Sequence, residues 1–250
     1  MRILVVIPAR YHSTRFPGKP LVHLCGKPMI QHVYEQSCAA RHVHEVWVAT
    51  DDHRIYEAVR AFGGKVLLTS PDHKSGTERM AEAAQKISAS ILINVQGDEP
   101  LIRPEAIDLL AETMIRAPSC KVATLMRRIS QEQDIYNPNC VKVVTDSRGS
   151  ALYFSRSPIP FCRDGYSLAF SYYQHIGIYA YRKNFLLKIS SLPPSPLEQS
   201  EVLEQLRILE HGYTMKVLET DYESYGIDTP EDIPRVESIL RKKMKQESRD

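Results

Sequence analysis

No apolar run in this 250-residue sequence approaches the roughly 18 residues that a membrane span needs, and the short one at its start, Met1 to Ile7, is cut off by Pro8 and Arg10. That opening also lacks a small-residue cleavage site, so it does not read as a secretion signal. Cysteine is sparse. The five present (Cys25, Cys38, Cys120, Cys140, Cys162) are widely spaced, odd in number and form no Cys-x-x-Cys pair, which argues for a reducing compartment. The expected location is the cytoplasm, with no membrane partner. Charge of one sign is missing as well: Lys and Arg number 32 against 30 Asp and Glu, a formal net charge of +2. No nucleic-acid partner is expected on that balance, and an RNA-binding role would announce itself as a steep loss of affinity with salt. Also absent are internal repeats, low-complexity segments, flexible linkers, a Walker loop, a dinucleotide glycine fingerprint, zinc-ligand spacing and a nucleophile elbow.

What is present suits one α/β domain with an elaborated edge. Short apolar runs at Ile3 to Ile7, Val46 to Ala49, Val66 to Leu68, Ile91 to Val95 and Val122 to Leu125 read as strands. Between most of them lie stretches of helical periodicity: Met29 to Ala40, His53 to Phe62, Thr77 to Ile87 and Pro104 to Arg116. That alternation predicts a largely parallel, helix-covered sheet. Beyond residue 130 the pattern changes to strand-like pieces (Val141 to Thr145, Ala151 to Ser155, His175 to Tyr181) and a polar loop, Arg163 to Ser171, which together predict an antiparallel elaboration. A helix over Glu198 to Glu210, a strand over Thr214 to Leu218 and a last helix from Pro230 to about Lys245 complete the expectation. The basic tail residues Arg241, Lys242, Lys243 and Lys245 read as a solvated helix end.

Chemistry concentrates at a few places. Pro8 to Pro20 is a loop just after the first strand, where ligands of α/β sheets bind; it carries Arg10, Arg15 and Lys19 with the hydroxyls of Ser13 and Thr14. It reads either as a phosphate site or as a surface turn. Gln96-Gly97-Asp98-Glu99-Pro100 follows the Ile91 to Val95 strand and places Asp98 where one carboxylate suffices for Mg²⁺, with a plain turn as the other reading. A second carboxylate, Asp228, lies before Thr229-Pro230, where helix capping explains it equally well. Ser75-Gly76-Thr77-Glu78 has capping-box spacing at a helix N-terminus, a place that also binds anions. Arg156 follows a strand and has the fork geometry for a carboxylate, His175 leads an apolar strand, and Glu204 and Gln205 lie on a leucine-rich helix.

These fragments span nearly the whole chain and together resemble one family, the 3-deoxy-manno-octulosonate (Kdo) cytidylyltransferases, or CMP-Kdo synthetases. The resemblance rests on Ile7-Pro8-Ala9-Arg10 with Ser13 to Leu21, Gly26 to Ile30, Val48 to Asp51, Ser75 to Arg79 and Val95 to Pro100. It continues through Asn137-Pro138-Asn139 with Val141 to Val144, Ala151 to Arg156, His175 to Tyr179, Leu203 to Arg207 and Gly226 to Asp232. It implies a Rossmann-like α/β fold of the nucleotide-diphospho-sugar transferase type: a mixed, mostly parallel sheet with helices on both faces and an antiparallel elaboration. The reaction implied is transfer of CMP from CTP to the anomeric hydroxyl of Kdo, with release of pyrophosphate, for lipopolysaccharide assembly. By the same resemblance Arg10, Lys19, Asp98 and Asp228 are catalytic, with Asp98 and Asp228 holding Mg²⁺. CTP would be bound by Ala9, Arg10, Ser13, Lys19, Ser75, Gly76 and Arg79, and the sugar by Gln96, Arg156, His175, Tyr179, Glu204 and Gln205. The implied division is a single domain over 1–250, with 1–130 mainly for CTP, 131–228 mainly for sugar and dimerisation, and 229–250 the last helix and tail. A homodimer is implied too. The competing readings are a cytidylyltransferase for another acidic sugar (a Kdo variant or sialic acid), one making a CDP-sugar, and a catalytically silent nucleotide-binding module.

Overall fold

The computed structural model describes residues 1–12, 16–73, 75–163, 165 and 170–247. The chain divides into two compact units, one of residues 1–111 with 224–250 and the other of residues 112–223.

The first unit is built on β1 (Ile3–Ala9), the hairpin strands β2 (His23–Leu24) and β3 (Lys27–Pro28), α1 (Met29–Cys38), β4 (Glu45–Thr50), α2 (His53–Ala61), β5 (Lys65–Leu68), α3 (Gly76–Lys86), β6 (Ile91–Asn94) and α4 (Pro104–Arg116), within which the second unit begins. Strands β6, β1, β4 and β5 lie side by side and all parallel, with Ile3 opposite Ile91, Leu4 opposite Glu45 and Trp47 opposite Lys65. Ile3 through Ile7 and Ile91 through Ile93 are at most 1% exposed, which is why these strands read as unbroken apolar runs: a parallel sheet is covered on both sides. Alanines at positions 81, 83 and 84 let α3 approach closely. Ser75 caps α3 by accepting from the Glu78 N–H at 3.2 Å, as the capping spacing predicts. Gly63, at φ 80°, ends the turn after α2.

The second unit contains β7 (Val122–Arg128), α5 (Glu132–Tyr136), β8 (Lys142–Thr145), β9 (Ala151–Ser155), β10 (Tyr173–Arg182), α6 (Lys183–Ser190), α7 (Pro196–Glu201), α8 (Leu206–Glu210) and β11 (Lys216–Glu219). Here β10 runs antiparallel to β7 and to β8, and β8 antiparallel to β9, while β11 joins β7 in parallel. The expected antiparallel elaboration is therefore observed, and the whole is the mixed, mostly parallel α/β class that the sequence predicts. The boundaries of this unit, 112 and 223, differ from the divisions at 130 and 228.

The continuous helix expected over Glu198 to Glu210 is not formed. Val202 adopts a left-handed conformation (φ 53°, ψ 51°), costly for a β-branched residue, and stands 75% exposed while the Leu203 N–H closes onto the Glu198 carbonyl. Two short helices result, tied by a bidentate pair from Arg207 to Glu198 at 2.6 and 2.7 Å. The leucine spacing hid this break because both pieces still bury their apolar sides. Helix α6, absent from the sequence reading, buries Phe185, Leu186 and Ile189.

The chain then returns to the first unit with a 3₁₀ turn (Pro230–Asp232) and α9 (Ile233–Glu247). Val236 and Leu240 of α9 pack with Ile227, Leu24, Met29 and Leu101 in one apolar cluster. Arg241, Lys242 and Lys245 are exposed, matching a solvated helix end.

Candidate active site

Three segments of the first unit meet beyond the carboxyl ends of β1 and β6. The loop after β1 is closed by Gly18, whose N–H donates to the Tyr11 carbonyl at 2.8 Å. Gly18 has φ 73°, and a Cβ there would sit 3.2 Å from the Tyr11 ring, so both backbone and space call for glycine. Tyr11 in turn lies under the Arg54 guanidinium, 3.2 Å from its ring centroid, and Arg54 is itself held by two bonds to Asp52 at 2.9 and 2.7 Å. Lys19 follows directly, and its ammonium is delivered to the next segment.

That ammonium lies 2.5 Å from Asp98 Oδ2, 2.8 Å from the Ile227 carbonyl and 3.6 Å from Asp228 Oδ1. Asp98 and Asp228, 130 positions apart in sequence, thus converge on one cation. The convergence is built by main chain. Ile227, fully buried in the α9 cluster, donates its N–H to the Asp98 carbonyl at 3.0 Å. The turn after Asp228 is closed by a capping box of Thr229, the N-cap, and Asp232, whose carboxylate accepts from the N–H groups of Asp228 and Thr229 at 2.9 and 3.0 Å. The Asp228 carboxylate is therefore not the cap. Glu99 accepts a hydrogen bond from Ser224, which ties the same two loops a second time.

Gly97 runs tightly against the end of β1: a Cβ there would lie 2.9 Å from the Pro8 carbonyl oxygen. Gly97→Ala is expected to lower stability by about 1–3 kcal/mol, because backbone must move to admit the methyl group. Activity should fall by about 10²-fold, since a shift of about 1 Å at reacting groups has that effect. Thermal denaturation alongside turnover measures both, and a variant with unchanged turnover would remove the close approach from the site's construction.

The other candidates of this unit are placed as follows. Ala9 ends β1 and is buried, Arg10 is exposed beside it, and Gln96 is partly exposed two residues before Asp98. Ser75 and Gly76 form the start of α3. Arg79 is only 4% exposed and turned inward, with Nη1 2.5 Å from Thr69 Oγ1 and Nη2 3.3 Å from Asp51 Oδ2. Ser13 lies outside the described residues, as do Thr14 and Arg15 and most of the 163–171 loop.

The second unit gathers the candidates of the later motifs. His175 and Tyr179 of β10 have ring centroids 5.4 Å apart, Phe154 meets His175 edge-on at 4.8 Å, and Tyr181 stacks on Tyr179 at 5.8 Å. Desolvation pulls the His175 imidazole down to about 3, so the ring is neutral at physiological pH. Burial first, and the Glu204 carboxylate among the nearby charges, hold the Tyr179 and Tyr181 hydroxyls protonated. Glu204 is exposed; Gln205 is 6% exposed, and its Nε2 has no hydrogen-bond partner. An unpaired buried amide donor of this kind is costly unless something completes it. Gly177 of the same strand borders open space, since a Cβ there would meet no atom within 4 Å.

Arg156 belongs to a different local network. Its Nε donates to the Glu201 carbonyl at 2.7 Å and its Nη1 to the Pro138 carbonyl at 3.0 Å, while its main-chain N–H is held by the Glu201 carboxylate at 2.9 Å. A guanidinium has five N–H groups, so this bracing leaves donors over and fixes where they point. Lys142, fully buried, binds the Arg156 carbonyl at 2.7 Å. Thr124, Lys142, Tyr181 and Glu201 were not singled out from sequence. Thr124 and Lys142 did leave a signal, as polar residues inside apolar strand patterns.

Comparison with known proteins gives the family. The family model described as cytidylyltransferase matches residues 4–221. A 3-deoxy-manno-octulosonate cytidylyltransferase of Solibacter usitatus is 51% identical over 96% of this chain and 95% of its own. Its namesake from Geobacter sulfurreducens is 52% identical over 96% of this chain and its full length. A solved CMP:2-keto-3-deoxy-manno-octonic acid synthetase complexed with CTP is similar at a TM-score of 0.93 and 47% identity, covering 97% of this chain and 100% of that one. A 4-diphosphocytidyl-2C-methyl-D-erythritol synthase from Anaerococcus prevotii, 13% identical, covers 96% of this chain and 98% of that one at a TM-score of 0.62 and shares the fold. On this identity over nearly its entire length, the chain belongs to the 3-deoxy-manno-octulosonate cytidylyltransferase family.

Proposed function

We infer that this chain transfers the CMP moiety of CTP to the anomeric hydroxyl of Kdo and releases pyrophosphate. The observation that carries the reading is the meeting of Lys19, Asp98, Asp228 and the Ile227 carbonyl beyond the ends of β1 and β6, in a chain half identical to relatives that bear this activity in their names.

Attack on an α-phosphate needs neutralised phosphate charge, an aligned nucleophile and a stabilised leaving group. Arg10 and Lys19 supply positive charge for the triphosphate, and the Gly18 bond to Tyr11, whose ring Arg54 covers, holds Lys19 in place. Ser75 and Gly76 present main-chain N–H groups at the start of α3 for the cytosine edge. Arg79 supports that helix from within, through Thr69 and Asp51, rather than by reaching the base.

The donor set around the Lys19 ammonium is hard oxygen, two carboxylates and a carbonyl, which suits Mg²⁺. Among the described residues no three His, Cys, Asp or Glu side chains gather as a metal cage; a site completed by substrate phosphate and water needs only one or two carboxylates. Asp98 and Asp228 would hold the ion, which when bound offsets phosphate charge and makes a nearby hydroxyl more acidic.

For the sugar we assign Arg156, His175, Tyr179, Glu204 and Gln205, together with Gln96. The donors that Arg156 keeps beyond its main-chain bonds fit a carboxylate, and the unpaired Gln205 amide fits a hydroxyl. A homodimer is assigned as the family resemblance implies, with the exposed apolar side chains of Leu152, Phe161 and Val202 available to an interface. No helix among the described residues is long and apolar enough to cross a membrane.

The test is pyrophosphate release with CTP, Mg²⁺ and Kdo, beside ATP, GTP and UTP and beside sialic acid. Release with CTP and Kdo alone is expected. Release with another acidic sugar would replace the substrate, and none with any pair would replace the reaction by nucleotide binding.

A further inference from the structure

Thr124 is a fully buried polar residue in the otherwise apolar start of β7. Its Oγ1 lies 2.8 Å from the Ile178 carbonyl, 3.2 Å from the Ile176 carbonyl and 3.0 Å from His175 Nε2. A β-bulge between Ile176 and Tyr179 brings both carbonyls to the one hydroxyl. A hydroxyl has a single proton and a carbonyl can only accept, so that proton is directed to the carbonyls, with Ile178 the nearer. In the remaining contact Oγ1 must therefore accept, and His175 Nε2 must donate. A neutral imidazole carries its proton on one nitrogen, which leaves Nδ1 with a bare lone pair. No described residue hydrogen-bonds Nδ1. Phe154 and Tyr179, packed against the ring, hold its plane.

We propose that Thr124 is a positioning residue that locks His175 in the Nε2–H tautomer, so that Nδ1 accepts a hydrogen bond from a hydroxyl of the acidic sugar rather than the ring offering charge to its carboxylate. The proposal rests on the reading that His175 faces Kdo. Discrimination at this position then concerns a hydroxyl, and recognition of the carboxylate is left to Arg156.

The tautomer is read directly by ¹⁵N NMR of the full chain labelled at histidine, the His175 signals being assigned by their loss in His175→Gln. A pyrrole-type Nε2 and a pyridine-type Nδ1 at neutral pH are expected before any sugar is added. An Nδ1–H ring, or an imidazolium, overturns the proposal whatever the enzyme's substrate. On addition of Kdo the Nδ1 resonance should shift as an acceptor's does. If it stays put while CTP and Kdo still release pyrophosphate, the acceptor role falls and the assigned reaction stands. Thr124→Val should give mixed tautomers and raise the KM for Kdo about tenfold, the equivalent of one lost hydrogen bond, with the KM for CTP unchanged. Thr124→Ser, which keeps the hydroxyl, should restore both; a Val variant with the original tautomer and KM would refute the positioning role.

Discussion

Asp98→Asn is expected to reduce turnover by about 10³-fold or more while leaving the fold intact, because it removes charge directed at the reacting phosphate and changes almost no volume. The Asp98 side chain is 33% exposed and that of Lys19 14%. A pair with this much access to water contributes about 1 kcal/mol to stability, so the midpoint of unfolding should barely move. The two effects separate because stability counts only the attraction between Lys19 and Asp98, whereas catalysis depends on a carboxylate able to hold a hard cation against phosphate oxygens. Asp228→Asn should act in the same direction and less strongly: its side chain is 58% exposed and 3.6 Å from the ammonium, against 2.5 Å for Asp98. Steady-state pyrophosphate release and thermal denaturation of both variants measure the prediction. Activity within tenfold of the parent in Asp98→Asn would take this carboxylate out of the chemistry.

Sequence names Asp98 and Asp228 but cannot show that they meet, and the reason is distance. Gln96-Gly97-Asp98 follows an unbroken apolar run, so the position of Asp98 beyond a buried strand is legible. Asp228 sits in a segment whose composition is fully explained by capping, and only the α9 cluster of Ile227, Val236 and Leu240, packed on Leu24 and Met29, shows that this segment returns to the first strand's loop. Local signals such as the Ser75 cap and the covered strands of the first unit were readable because they depend on neighbours in sequence. The break at Val202 was not, since no glycine or proline marks it and a β-branched residue takes the left-handed position. The cations show the same limit. Lys19, Arg79 and Arg156 are equally basic on paper, yet one meets two carboxylates, one is buried against Thr69 and Asp51, and one braces main-chain carbonyls.

Lys142→Met is expected to destabilise the protein by about 3 kcal/mol or more, because it strips donors from three carbonyls that stay behind, and hydrogen bonds from a charged group are each worth about 1.5–3 kcal/mol. Lys142 is fully buried, and its ammonium donates to the carbonyls of Cys140, Arg156 and Asn137 at 2.6, 2.7 and 2.8 Å. An ammonium has three protons, and each has its acceptor. Desolvation does oppose this arrangement, pulling the Lys142 pKa below its usual 10.5. Exchanging a buried ion pair for apolar groups is often neutral for that reason, but there both charges leave together. Here the acceptors are main chain and cannot be replaced. Lys142→Arg should not rescue, since a planar fork cannot meet three carbonyls arranged around a point charge. The loss should also be felt in function: this ammonium and the Arg156 bond to Pro138 join the segment from Asn137 to Cys140 to Arg156. Freed from it, Arg156 should bind Kdo less well, raising the KM for the sugar and leaving that for CTP unchanged. Denaturant unfolding of Lys142→Met together with the two KM values decides the matter: stability within about 1 kcal/mol of the parent would show that the carbonyls find other donors, and the lysine would then be filling space rather than organising the sugar side of the enzyme.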